Sequence, residues 1–359
     1  MVRRKLPTQA DVAKLAGVSV PVVSAVINEG SGTVRVGEES ADRVRRAIEA
    51  LSYVPNPIAR SLIGGRSGII AVFTFDPIFP SVRDNFFYPF LQGIEAAVEG
   101  KGFDLLLLTA DAPAPVARSL YVGGRNRCAL ADGAIILGSE PNRDELRRLA
   151  EDEFPFVIVG RREVEGITIP HVAATYADAT AALVERAIGL GHKQLRFIGL
   201  PDAQEPAIDR RAGFAKAIAS GGQGIEGSLV EIGLEVGAAE TSVAAAYKEG
   251  VTVLFAETGH LAEALDRAAA SLGIDVPGAV SICALSNAAT DYAHMRDFTR
   301  VSIPRFEMGG AALRMLLRRL SASGDVAPHV TRLKCALVDG TTLAEATCAA
   351  QSRNPQAGG

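Results

Sequence analysis

The sequence predicts two unlike parts: a small all-α head, followed by an α/β core of two doubly wound parallel-sheet lobes. Three observations carry this. Between Thr8 and Leu51, short stretches of helical apolar spacing are separated by helix stop and start signals. From Gly68 onward, β-rich apolar runs alternate with helix-like runs. The charge also changes sign between the two regions.

In the head, Thr8 is placed to cap a first helix, with Asp11 where a capping box has Glu or Gln, and Val12, Leu15 and Ala16 fall on one face. Gly17 stops that helix, because glycine enters the left-handed conformation without strain. Ser19 then caps a second helix, about Val20 to Asn28, with Pro21 tolerated in its first turn. Two short helices joined in this way form a helix-turn-helix, whose second helix lies in the DNA major groove with its N-terminal residues nearest the bases. A helical hairpin that binds nothing would satisfy the same pattern. A third helix, Glu38 to Leu51, has acids in its first turn and Val44, Ile48 and Leu51 spaced to cover the other two. Next comes Asn56 as a cap, Pro57 at a first helical position and Gly64-Gly65 as a stop. A helix of about eight residues is marginal alone and needs a partner to stay folded.

The core pattern places strands at Ile69 to Phe75, Phe103 to Thr109, Gly133 to Ile136, Phe156 to Val159, Leu195 to Gly199, Thr252 to Ala256 and Val280 to Ala284. Helices are expected at Phe90 to Glu99, Arg143 to Glu151, Ala177 to Leu190, Arg210 to Ala219, Thr241 to Lys248, Leu261 to Ser271 and Phe306 to Leu320. Strand-helix alternation of this kind builds parallel sheets with helices on both faces. The chain is expected to cross between lobes at Ile169 to Thr175 and near Arg300 to Ile303, with Arg332 to Val338 closing the second lobe.

Residues 1–66 hold ten Lys and Arg against six acids, a net of +4, so with the whole chain at −4 the remainder carries −8. A basic head on an acidic body suits a molecule that meets phosphates at one end only, although a solvated charged helix gives the same count. The 48% hydrophobic content is ample for a large core across 359 residues. With neither a membrane-spanning run nor a signal peptide, a cytoplasmic location is expected. Cys128, Cys283, Cys335 and Cys348 lack paired spacing, so buried idle thiols are expected and no metal site. The five histidines are isolated, with His192 read as a polar cap before a strand, and no nucleophile elbow, phosphate loop or dinucleotide fingerprint is present. No catalytic residue, cofactor or enzyme activity is expected.

The phrases Asp11-Val12-Ala13-Lys14-Leu15-Ala16-Gly17-Val18-Ser19, Tyr53-Val54-Pro55-Asn56 and Ala59-Arg60-Ser61-Leu62 resemble, in order and spacing, the lactose-repressor family of bacterial transcription regulators. The resemblance implies a periplasmic-binding-protein-like core and a homodimer on a pseudo-palindromic double-stranded operator, controlled by a small-molecule effector such as a sugar or sugar derivative. Repression is the implied output. The positions it implies at DNA are Thr8, Ser19, Val20, Pro21, Ser24, Asn28, Asn56, Ala59 and Leu62, with Arg35 an addition from a lengthened loop. Leu62 matches the residue that wedges between base pairs and kinks the duplex. Relatives often have polar or long side chains at the positions of Val20, Pro21 and Ala25, so direct readout here rests on fewer groups.

The implied effector positions are Asp76, Phe86, Phe87, Arg210, Glu257 and Ser286. Ser286 replaces an acid that commonly clasps a sugar, and the Ala173-Ala174-Thr175-Tyr176 segment lacks another. This leaves a sugar derivative, an acidic metabolite held by Arg210, or no effector. The expected boundaries are 1–52 for the head, 53–66 for a hinge helix and linker, 67–347 for the core and 348–359 for a loose tail. Within the core, lobe 1 takes about 67–169 and 298–323 and lobe 2 about 170–297 and 324–347. The alternative function is a solute-binding receptor of the same core fold.

Overall fold

The computed structural model describes residues 7–27, 36–54, 66–75, 86–109, 118–138, 142–201, 204–233, 237–287, 296–321 and 329–346. The chain divides into two compact units, Met1–Ile69 and Ile70–Gly359. Among the described residues no single helix is long and apolar enough to cross a membrane.

The first unit contains α1 (Gln9–Ala16), α2 (Val20–Ile27) and α3 (Glu38–Ala50). Thr8 and Asp11 form the expected capping box, with the Thr8 N–H donating to Asp11 Oδ2 at 2.8 Å and the Asp11 N–H donating to Thr8 Oγ1 at 3.4 Å. Gly17 sits at φ 65° and donates its N–H to Ala13 O, which turns the chain so that α2 leaves α1 at 106°. The mini-core is Val12, Ala13, Ala16, Val23, Val44, Ala47 and Tyr53. Leu15, expected in that core, is 56% exposed. At about 100° per residue it lies roughly 60° from Val12 on the side away from Ala13 and Ala16, so it falls off the buried stripe.

The second unit opens with β1 (Ile69–Thr74), α4 (Tyr88–Val98), β2 (Asp104–Leu108), the hairpin β3 (Tyr121–Val122) and β4 (Arg125–Asn126), β5 (Gly133–Leu137), α5 (Arg143–Glu151), β6 (Phe156–Val159) and β7 (His171–Ala174). It continues with α6 (Tyr176–Gly189), β8 (Gln194–Gly199), α7 (Glu205–Ser220), β9 (Glu226–Glu231), α8 (Ala238–Lys248), β10 (Val253–Ala256), α9 (Gly259–Ser271), β11 (Ser281–Ala284) and β12 (Thr299–Ser302). The final elements are α10 (Arg305–Ser321), β13 (Val330–Leu333) and β14 (Ala336–Val338). One six-stranded sheet has the order β13-β7-β6-β5-β1-β2 and the other β14-β12-β11-β10-β8-β9. Within these two sheets the described pairings are parallel except β12 with β14, an antiparallel edge. The order turns at β5-β1-β2 and at β10-β8-β9, and such switch points leave a crevice at the carboxyl ends of the strands.

Two boundary expectations require correction. β7 remains in the first sheet, with His171 opposite Ile158, and β12 remains in the second, with Thr299 opposite Cys283. The crossings therefore follow these strands, at Thr175 and at Ile303-Pro304, so 170–174 belongs with lobe 1 and 298–302 with lobe 2. The expected closing strand Arg332 to Val338 is in fact two strands, β13 in the first sheet and β14 in the second, which makes a third crossing. Short runs such as Val172-Ala173-Ala174, buried on both faces, read alike as strand or connector until a partner is seen.

The first and third crossings are tied to each other, and the second is tied to Asn287 after β11. The Thr175 N–H donates to Leu333 O at 2.9 Å and the Cys335 N–H to Thr175 Oγ1 at 3.3 Å, while the Ile303 N–H donates to Asn287 Oδ1 at 3.0 Å. Cys128, Cys283 and Cys335 are free and buried. Burial pushes the first two thiols up to about 12 and the third to about 11, so they stay protonated at neutral pH.

Helix packing in each lobe depends on glycine. A Cβ on Gly93 of α4 would lie 1.9 Å from Phe306 O, and one on Gly309 of α10 would lie 2.1 Å from Phe90 O. In the other lobe, a Cβ on Gly213 of α7 would lie 2.2 Å from Ala177 O. Gly93→Leu is expected to lower unfolding stability by about 3 kcal/mol, read by thermal melting, while Ala96→Leu on the exposed face of the same helix leaves it unchanged. Thr8→Ala is expected to lower the melting stability of the head by about 1 kcal/mol.

Candidate functional site

Two surfaces are candidates, one on each unit. On the head, the α2 N-terminus presents Ser19, Val20 and Pro21 to solvent, with Val20 41% exposed and neither acid nor base in that helix. Ser24 is half-buried, Val23 lies in the mini-core and Ala25 is buried. The lack of a donor at Ala25 therefore has a packing reason, since a long polar side chain has no room at a buried position. The Thr8 hydroxyl already donates to Asp11 Oδ2 at 2.7 Å, so its helix-capping role competes with any phosphate contact. Asn28, Arg35, Asn56, Ala59 and Leu62 lie outside the described residues, as does Asp76.

The second unit holds a cavity of about 700 Å³, a volume that suits a small-molecule ligand. Its walls are the carboxyl ends of both sheets: Leu137 and Gly138 follow β5, Val159 and Gly160 close β6, Leu200 follows β8, Thr258 follows β10, and Ser286 and Asn287 follow β11. Helix starts fill the remainder, with Phe86 and Phe87 before α4, Gln204 before α7 and Arg305 opening α10. Phe86 meets Phe87 edge-on at 5.2 Å, and Phe86 lies 5.7 Å from Phe90, which forms an aromatic wall.

Three arginines line this cavity. Arg210 donates its Nε–H to Leu285 O at 3.0 Å and lays its guanidinium 4.6 Å over the Tyr176 ring. Burial pushes the Tyr176 phenol up, against a smaller downward pull from Arg210, so the ring stays neutral. Arg162 donates to Gly138 O at 2.6 Å and lies 3.8 Å from Glu205, both side chains being buried. Arg305 donates to Phe86 O at 3.0 Å and sits 5.3 Å over the Phe86 ring. Glu205 also receives Arg143 and the Glu163 N–H, each at 2.9 Å. Burial pushes its carboxyl up, but these donors and Arg162 outweigh burial and hold it below the usual carboxylate range.

Of the residues predicted for this site, Phe86, Phe87, Arg210 and Ser286 line the cavity and Glu257 does not. Glu257 is buried behind the wall, where its Oε2 accepts the Leu200 N–H at 2.9 Å and lies 3.9 Å from Arg211. A carboxylate at a strand end is drawn to the nearest backbone N–H and cation, and here these are the Leu200 N–H and Arg211, which hold Glu257 out of the lining. Arg162, Arg305, Tyr176 and Gln204 were missed. Arg161-Arg162 directly after the Val159-Gly160 strand end was the available signal, because strand ends are where doubly wound sheets place ligand contacts. Two histidines are structural: His192 bonds Thr252 Oγ1 at 2.8 Å and Ala344 O at 2.9 Å, and His171 Nδ1 bonds Ile169 O at 2.8 Å.

Comparison with known proteins places these surfaces in context. Residues 8–56 match the model of bacterial regulatory proteins of the lacI family. Residues 77–235 match the periplasmic binding proteins and sugar binding domain of the LacI family, and 184–343 match a periplasmic binding protein-like domain. The transcriptional regulator CelR of Thermobifida fusca is 26% identical over 330 residues, covering 89% of this chain and 94% of that protein. The regulator PtxS of Pseudomonas putida is 26% identical over 342 residues, covering 94% and 97%. Among solved structures, the lac repressor dimer bound to operator and an anti-inducer superposes with a TM-score of 0.70 at 21% identity, covering 95% of this chain and 100% of that one. With the helix-turn-helix and both parallel-sheet lobes accounted for from one end of the described chain to the other, the protein belongs to the lacI family of bacterial regulatory proteins and is a DNA-binding transcription regulator.

Proposed function

We propose that the protein is a repressor that binds a pseudo-palindromic operator as a homodimer and is switched by a small molecule in the interlobe cavity. The observation that carries this reading is the head geometry: two short helices at 106°, with the N-terminus of the second bare and free of acidic groups. One such unit reads one half-site, so a two-fold pair is what gives a palindrome its affinity. The solved lac repressor, a dimer on operator, supports the same arrangement. Residues Ser19, Val20, Pro21 and Ser24, with Asn28 and Arg35, are assigned to the major groove and its phosphates. Thr8 is assigned to the backbone, and Asn56, Ala59 and Leu62 to a hinge helix within 53–66. The head is assigned to 1–52.

Phe86, Phe87, Arg210 and Ser286, with Asp76, are assigned to the effector. The protein acts by binding and not by catalysis. An effector that prefers one relative setting of the lobes shifts the operator-competent population by its differential affinity, about 1–3 kcal/mol in typical switches. Selection from random duplexes at moderate salt is expected to return an inverted repeat. Recovery of single half-sites, or no preference at all, refutes the dimeric reading. Val20 offers only a methyl contact and Pro21 no donor, so deformation of the duplex is expected to carry much of the specificity. Leu62→Ala should therefore weaken binding to the selected site by about tenfold or more in a gel-shift titration, and a loss under twofold would show that no wedge operates.

A further inference from the structure

We infer that the cavity is built for a small organic carboxylate with an apolar or ring-shaped body, and not for a neutral sugar. This rests on the reading of the cavity as the effector site and names the chemical class it takes. Three arginines are among the described residues that line the cavity, and the acid assigned to the effector above is Asp76 alone, outside the described residues, so cations outnumber acids at the site. Arginine only donates hydrogen bonds, and a carboxylate only accepts them. A sugar brings a set of hydroxyl protons that each need an acceptor, and among the described lining residues no carboxylate offers one. The Asn287 Oδ1 already takes the Ile303 N–H, and the buried Glu257 is committed to Leu200 and Arg211.

Arg210 gives the argument its direction. Its side chain is 7% exposed, and its contacts with described residues are the Nε–H bond to Leu285 O and the Tyr176 ring face. Neither contact neutralises its charge or uses its two Nη groups, which leaves a planar fork of donors facing the opening. A guanidinium buried in this state is costly unless something anionic completes it, and the two parallel oxygens of a carboxylate match the fork. Across the cavity, Arg162 lies 3.8 Å from Glu205 behind the wall and itself lines the opening, so a second guanidinium faces the same space. The N-termini of α7, α9 and α10 open onto the same space and add donor groups of the same sign. The rest of the lining, including Phe86, Phe90, Val159, Leu200 and Met308, is apolar and suits a hydrocarbon or aromatic body.

The test uses the full-length protein and matched probes: benzoate with benzyl alcohol, cyclohexanecarboxylate with cyclohexylmethanol, gluconate with glucose, and phenyl phosphate and cellobiose as separate arms. Thermal shift and calorimetric titration are expected to show concentration-dependent binding by carboxylates and none by their neutral partners. Arg210→Gln keeps an amide within reach of the Leu285 carbonyl and removes the charge. It should weaken carboxylate binding by about 10–100-fold, as expected for loss of a charge-assisted pair. Binding of a neutral member as tight as its acid, no response to any carboxylate, a stronger response to phenyl phosphate, or an Arg210→Gln variant that binds like the unaltered protein each overturns the assignment. The paired comparison needs no variant, so a poorly folding Arg210→Gln still leaves a decision. Operator binding is measured on the same sample. Intact operator binding without a carboxylate response sinks this inference alone, and carboxylate binding without operator recognition sinks the regulatory reading alone.

Discussion

Side chains facing each other across a cleft are placed no better than the helices that carry them, and here those helices are held at distances that only glycine permits. Gly93 and Gly309 bring α4 and α10 together so closely that a methyl group on either would run into a backbone carbonyl. That contact fixes the start of α10, where Arg305 lies, against Phe86 at the start of α4. On the other lobe, Gly213 seats α7 against Ala177 within one turn of Arg210, and Tyr176, on which Arg210 stacks, immediately precedes that contact. Close packing of this sort transmits displacement instead of absorbing it, so a shift of either helix moves an arginine with it.

Two lobes joined by three strands of chain can tilt but cannot slide freely, and the bonding at the crossings limits the tilt further. Thr175 holds the third crossing through its backbone and its hydroxyl, and Asn287 holds the second through its amide. Asn287 also lines the cavity, so the wall that meets a ligand and the joint that must bend share a residue. A ligand spanning Arg210 on one lobe and Arg162 or Arg305 on the other favours whichever tilt brings them to bonding distance. Its effect on the joint is limited to the difference in affinity between tilts.

Most of the fold was legible because burial on both faces of a parallel sheet leaves continuous apolar runs. Phe156 to Val159 and Arg143 to Glu151 were predicted to the residue. The failures share a cause. Helix α7 begins at Glu205, five residues before the Arg210 expected from apolar spacing, since its first turn carries Pro206 and a buried acid whose partners lie far away in sequence. Strand β9 was missed because it is a largely exposed edge that opens Glu226-Gly227-Ser228 and packs only Val230 against the core. In the cavity, aromatic and Arg210 positions were legible by resemblance. Arg162 carried a signal as a charge directly after a strand end, whereas Arg305 is a single charge at a helix start, and only the sheet order shows that both line one cavity.

The fate of the buried acids explains why the cavity keeps its sign. Glu205 and Glu257 both stand at strand ends or helix starts beside the opening, and either could have neutralised an arginine from within the lining. Each is instead held out of the lining: Glu257 by the Leu200 N–H and Arg211, and Glu205 by Arg143, the Glu163 N–H and Arg162. These partners hold Glu205 ionised even though burial opposes it, so the carboxylate contributes stability above its unfolded pKa and loses it as the pH falls through its depressed folded value. At neutral pH the acids therefore act as a rear layer that orients Arg162 and anchors Arg211 without entering the cavity. Among the described residues the charged groups facing the opening are arginine donors, and the group best able to complete them is one that only accepts.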